Sequence, residues 1–339
     1  MQARAPGKLI LSGEHSVVYG APALALAVDE HVNAAFSVNE DQTTTAQLAV
    51  SISGTPAPSL SLAQASMYLQ KLNAAFDEYL AAKRSINDVC PSPEALVYYA
   101  ALQLTSDWPI AGTISTQSTL PLGAGMGSSA AAIAAVIRLA EQVLGQTPLS
   151  ANELLKRVAY CERLQHGRGS IIDASAVSYG GMVRVEQGVA LPQTLLLPQG
   201  FFRIFSGKPT VSTGQCVDKV RQNFEHSQIW SEFTATTEFL VQGLQAKAQG
   251  AASVISAIKA NHALLTTIGV VPNTVVRFIA DLEALGGCAK ISGAGATEGE
   301  RGGMLVAFAD EHDVKRLATT YGFSYAPLRM DEQGACALS

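Results

Sequence analysis

Apolar and small residues alternate through residues 8–11 and 22–38, on either side of a turn at Tyr19-Gly20. A period of two predicts a pair of strands there. A third strand is expected over AQLAVSIS, residues 46–53. The period then changes. Residues 61–83 and 93–105 read as helices, followed by a strand over 110–118. Further on, Ile133, Val136, Ile137, Ala140, Val143 and Leu144 mark one face of a helix that stops at Gly145. Ser150 and Glu153 have the spacing of a capping box for the next helix, with Leu155, Val158 and Cys161 turned inward. Strands are expected at 180–188 and 202–207, and helix from about 211 to 266 with a break near 243–250. A second glycine turn, residues 292–303, leads into the strand MLVAFA. A boundary within 185–205 divides the pattern into domains spanning 1–190 and 191–339.

Composition narrows what such a chain can be. With 339 residues, 48% hydrophobic and 15% charged, it can bury a core in one large domain or two smaller ones, and it is too apolar to stay disordered. A net charge of -5 offers no nucleic-acid footprint. An anionic ligand must therefore be held by local cations and backbone amides. No apolar run approaches the roughly 18 residues of a membrane span, and MQARAPGKLI lacks the pattern of a signal peptide. Five cysteines (Cys90, Cys161, Cys216, Cys288, Cys336) without a CxxC pair predict free thiols in a reducing compartment, hence a cytoplasmic protein. Six histidines show no metal-ligand spacing. A homodimer stays open.

The chemistry concentrates in three places. PLGAGMGSSAA, residues 121–131, puts Gly123, Gly125 and Gly127 on alternate positions and then Ser128 and Ser129 at the mouth of a helix. Glycines at positive φ let successive amides point into one concavity, and a helix start adds unpaired N–H groups and partial positive charge. That combination suits phosphates, with the serine hydroxyls available to phosphate oxygens or Mg2+. A plain strand-to-helix turn with a serine cap is the other reading of these residues alone. Glu162 follows Val158 by one helical turn, so its carboxylate sits at the edge of the buried stripe and calls for a cation partner or a salt-bridged helix end. Asp173 is a lone acid among small and apolar neighbours, either a functional carboxylate or a helix cap. Near the N-terminus, APGKLILSGEHSVVYG places Lys8, Glu14 and His15 at a strand–turn junction.

Taken jointly, these stretches resemble the GHMP family of small-molecule kinases over essentially the whole chain. The family's P-x-G-x-G-x-G-S-S-A motif matches Pro121, Gly123, Ala124, Gly125, Met126, Gly127, Ser128, Ser129 and the alanine that follows. Its A-P-G-K-x-x-L-x-G-E-H motif matches residues 5–15, and GEHSVVYG and APALALAV are most similar to the mevalonate kinase branch. The resemblance implies an α+β chain, with an N-terminal domain like domain 2 of ribosomal protein S5 and a ferredoxin-like C-terminal domain. It implies ATP and Mg2+, with Ser129 and Glu162 on the metal, Asp173 as catalytic base and Lys8 beside it. Glu14, His15 and Thr213 of SGKPTVST are then expected to bind the substrate. The implied reaction is phosphorylation of the 5-hydroxyl of mevalonate, a small-molecule partner, with no nucleic acid or membrane involved. Another acceptor, phosphomevalonate or a sugar, and a non-catalytic sensor on the same fold are the rival readings. Two departures stand out. HGxPSGxD is here HGRGSIID, with Gly169 for proline and Ile171 for glycine, and its GRGS arrangement, which includes Arg168, is faintly similar to an element of phosphomevalonate kinases. The third motif reads GAGATEGERGG, residues 293–303, with a longer and more charged loop over 295–303.

Overall fold

The N-terminal alternation builds β1 (Gln2–Ser12) and β2 (Ala23–Val38), which pair antiparallel around a 3-10 turn at Ser16–Tyr19. In this computed structural model residues 1–38, 47–57, 59–105, 108–121, 123–167, 169–246 and 250–338 are described. β1 starts at Gln2 rather than at residue 8. Ala3 and Ala5 are fully buried, but a register shift between Pro6 and Gly7 breaks the alternation that would have shown it.

The chain continues through β3 (Gln47–Ile52), the two-residue β4 (Thr55–Pro56) and β5 (Leu60–Ser61), α1 (Leu62–Leu80), α2 (Pro93–Ala101) and β6 (Gly112–Ser118). Next come α3 (Ser128–Leu144), α4 (Ala151–His166), α5 (Ile171–Tyr179), β7 (Met182–Glu186) and β8 (Val189–Gln193). The Ser150–Glu153 capping box forms as expected, with the Glu153 amide donating to Ser150 Oγ at 3.3 Å. Fully buried Ala130, Ala131, Ala134 and Ala135 let α3 lie close against β1 and β2.

The rest comprises β9 (Phe201–Phe205), α6 (Thr213–Phe224), α7 (Ile229–Gln245), α8 (Ala251–Thr267), α9 (Asn273–Ala284), β10 (Cys288–Ser292), β11 (Met304–Phe308), α10 (Glu311–Tyr321), β12 (Ser324–Pro327) and β13 (Cys336–Leu338). The helix expected over 211–266 is three helices. A second break at residues 225–228 is fixed by the Trp230 indole donating to the Phe224 carbonyl at 2.8 Å.

Two sheets organise the chain. The first has the order β13-β1-β2-β6-β3-β4, with β5 on β3, and β7 and β8 attached through β2. The second is antiparallel with the order β10-β11-β9-β12. Its helices fall in the β9–β10 and β11–β12 connections, which is the β-α-β-β-α-β arrangement of ferredoxin-like folds. Strands β1–β8 belong to the first sheet and β9–β12 to the second, and β13 crosses back to pair with β1. Among the described residues no helix is long and apolar enough to cross a membrane.

Candidate active site

The glycine stretch alternates as its sequence does. Gly123, Gly125 and Gly127 take φ of 71°, 76° and 68°, while Ala124 and Met126 between them are buried and anchor the loop. A β-carbon at Gly125 would meet nothing within 4 Å, so the bare backbone faces open space. Gly127, not a serine, is the N-cap of α3, and no side chain caps that end. The first amides of α3 are therefore left for a ligand, and the plain serine-capped turn is not what forms.

Lys8 holds this loop from β1. Its amide donates to the Met126 carbonyl at 2.9 Å and its Nζ to the Gly125 carbonyl at 2.9 Å. The same Nζ lies 3.2 Å from Asp173 Oδ1. Asp173 is the third residue of α5, and that helix is capped by Ser170, whose Oγ accepts the Asp173 amide at 3.2 Å. The Asp173 carboxylate is thus free of capping duty and 21% exposed. A β-carbon on Gly127 would sit 3.0 Å from Lys8 Cγ and 3.5 Å from Asp173 Oδ2, which places the pair at the helix end of the loop.

Glu162, on α4, is 1% exposed and accepts the Ser129 hydroxyl at 2.8 Å through Oε1. Its Oε2 is buried without a partner among the described residues. Burial, then the Asp173 charge, pushes the Glu162 carboxyl up to about 8, against Ser129 and Lys8, which lower it. An orphaned carboxyl oxygen beside a hydroxyl and a second carboxylate is a donor set that suits a hard divalent cation, whose charge would favour the ionised carboxylate. Gly169 has a steric reason to replace proline, since a β-carbon there would lie 2.1 Å from the Ala159 carbonyl oxygen. Arg168 lies outside the described residues.

Glu14 and His15 are held by partners from β10 of the second sheet and the loop after it. Glu14 is paired with Lys290 of β10, both sealed from solvent, and Lys290 also donates to the Ile10 carbonyl at 3.1 Å. Burial pushes the Glu14 carboxyl up and the Lys290 ammonium down, each held back by the other. His15 Nε2 lies 3.0 Å from the Ala294 carbonyl, and burial lowers its pKa. These two residues therefore fasten the end of β1 to the second sheet. Lys290 was missed in the sequence, where a lysine inside the apolar strand CAKIS already demanded a buried acid.

A cleft of about 170 Å³ opens between the two glycine loops, lined by Gly123, Gly125, Lys208, Thr213, Ser292 and Gly303 among others. Thr213, the first residue of α6, is exposed there. The loop over 295–303 turns its charges outward. Glu298 pairs with Lys219 at 3.3 Å, Glu300 accepts the Thr274 hydroxyl, and Arg301 donates to the Ser206 carbonyl at 2.8 Å.

Residues 95–181 match the family described as GHMP kinases N terminal domain. A mevalonate kinase of Thermococcus sibiricus is 30% identical over 329 residues, covering 91% of this chain and 89% of that protein. One from Pyrococcus horikoshii is 28% identical over 330 residues, covering 91% and 88%. Among solved structures, the Methanococcus jannaschii mevalonate kinase superposes with a TM-score of 0.77 at 19% identity, covering 97% of this chain and 98% of that one.

Proposed function

Because the chain belongs to the GHMP kinases, we propose that it is an ATP-dependent phosphotransferase that phosphorylates the 5-hydroxyl of mevalonate, giving 5-phosphomevalonate and ADP. The observation that carries this reading is the Lys8–Asp173 pair at the helix end of the glycine loop. There a hydroxyl and the terminal phosphate of ATP can meet. The near end-to-end match to curated mevalonate kinases supports mevalonate as the acceptor.

The loop amides and the uncapped start of α3 cradle the ATP phosphates. Asp173 accepts the hydroxyl proton as the acceptor oxygen bonds to the γ-phosphorus and the bond to the leaving ADP oxygen breaks. Lys8 pairs with the Asp173 carboxylate and favours the alkoxide that develops. Ser129 and Glu162 would hold Mg2+, which offsets phosphate charge. Glu14 and His15 serve the acceptor end by fixing β1, and Thr213 reaches it from α6. The cytoplasmic location belongs to this proposal, supported by five free thiols.

Coupled ADP-release kinetics over mevalonate, phosphomevalonate and a sugar panel test the assignment. Mevalonate is expected to give the highest kcat/KM by a wide margin. A preference for phosphomevalonate or a sugar overturns the acceptor, and no turnover with any alcohol overturns the enzyme.

A further inference from the structure

The cleft between the two glycine loops carries one charged residue in its lining, Lys208. Its aliphatic stem lies across Gly123, where an added β-carbon would be 3.0 Å from both Cδ and Cε. The ammonium makes no ion pair among the described residues, while the acids of the neighbouring loop are paired away from the cleft with Lys219 and Thr274. A cleft of exposed glycine backbone with a single cation and no carboxylate in its lining is built for an anion.

The backbone that presents Lys208 is fixed before any ligand arrives. The Ser206 amide donates to the Gly303 carbonyl at 3.0 Å, and the Gly303 amide returns a bond to the Gly207 carbonyl at 3.1 Å. Buried Ser206 Oγ donates to the Gly303 carbonyl at 2.9 Å and accepts the Gly302 amide at 3.0 Å. Arg301 adds its bond to the Ser206 carbonyl, and Pro209 stiffens the following position. The charged loop that departs from the family motif thus acts as a buttress for Lys208.

Position along the loop decides which part of the ligand this lysine meets. Gly127 adjoins Lys8 and Asp173, where the transferred phosphoryl group must sit, and Gly123, four residues back along the loop, adjoins Lys208. We infer that Lys208 is a nucleotide-binding residue supplied by the second domain, gripping the non-transferred phosphates of the triphosphate and, after transfer, those of the diphosphate product. This rests on the ATP-dependent reading above. It needs no particular acceptor.

Titration calorimetry of ADP and AMP, with steady-state kinetics, tests it on Lys208→Met, which keeps the stem, and Lys208→Arg, which keeps the charge. Losing a hydrogen bond to a charged group should weaken ADP by about 10-fold or more in Lys208→Met. AMP is expected to change by less than about 3-fold, because the lysine's grip includes the β-phosphate, which AMP lacks. KM for ATP should rise in parallel, KM for mevalonate should stay within about 2-fold, and Lys208→Arg should recover most of the ADP affinity. Unchanged ADP affinity in Lys208→Met overturns the inference, as does a rise confined to the KM for mevalonate. If wild type prefers another acceptor, the acceptor assignment falls while the ADP comparison still decides Lys208.

Discussion

Two lysine–carboxylate pairs sit a few residues apart on β1 and the turn after it, and they are built for opposite purposes. Lys8 and Asp173 lie 3.2 Å apart with the carboxylate 21% exposed, beside the start of α3, which no side chain caps. Glu14 and Lys290 are 1% and 0% exposed and join the first sheet to the second. A proton acceptor must be reachable and must keep a charge that changes during turnover. A sealed pair can do neither, since any change of charge there is penalised by burial. Exposure, more than residue type, separates the reacting pair from the anchoring one.

The sharpest way to break this comparison is to remove one half of the sealed pair. Lys290→Met leaves a buried, unpaired carboxylate and should cost about 3–5 kcal/mol in denaturant unfolding. Adding Glu14→Gln should recover most of that loss, since the orphaned charge goes with it. A Lys290→Met protein as stable as wild type would end the anchoring role.

The open pair should respond in the other currency. Asp173→Asn is expected to lower kcat by about 100-fold or more, the scale of a positioned acid–base group. Its unfolding free energy should fall by less than that of Lys290→Met, because the Asp173 carboxylate is partly exposed and buried Lys8 keeps the Gly125 carbonyl at 2.9 Å. ADP binding should survive. Wild-type turnover in this variant would remove Asp173 from the chemistry.

A third, smaller test uses a sealed pair away from the cleft. Asp331 accepts His31 Nε2 at 2.8 Å and the amides of Gln333 and Gly334 at 2.9 and 2.7 Å. Burial raises its pKa, but His31 and these amides outweigh burial and hold it below its ordinary 3.8. A depressed carboxylate stabilises the fold above the unfolded pKa and loses that contribution as pH falls through the folded value. Asp331→Asn should therefore lose about 1–2 kcal/mol at pH 7, with the gap to wild type closing in strong acid and kcat unchanged. A gap that persists unchanged through acid would show that the charge is not what stabilises.

Much of the site was legible because its signals are local. Alternate glycines, the turn-spaced Glu162 and the Ser150–Glu153 box each depend on neighbours within a few residues, and α3, α4 and the loop formed where they were expected. Short elements were harder. α5 is nine residues of almost uniformly small and apolar character, so no polar face gave it a period, whereas α9 carries the helical spacing Val275, Phe278, Ile279 and Leu282 and could have been read from it. The partners of Glu14 and His31 were out of reach for a different reason. Lys290 and Asp331 stand 276 and 300 residues away, and no spacing rule connects residues at that distance.

β13 carries a consequence for how the molecule is made. Its residues pair Leu338 with Gln2 and Cys336 with Arg4, so the outer edge of β1 is completed by strand from the far end of the described chain. During synthesis that edge has no partner until the long stretch between Arg4 and Cys336 has been made. Contacts of such sequence separation form slowly, because a very long loop must close before they repay it. The strand that bears Lys8 is thus made long before its edge is sealed, and a chain cut short before β13 is released with the unpaired edge that invites association.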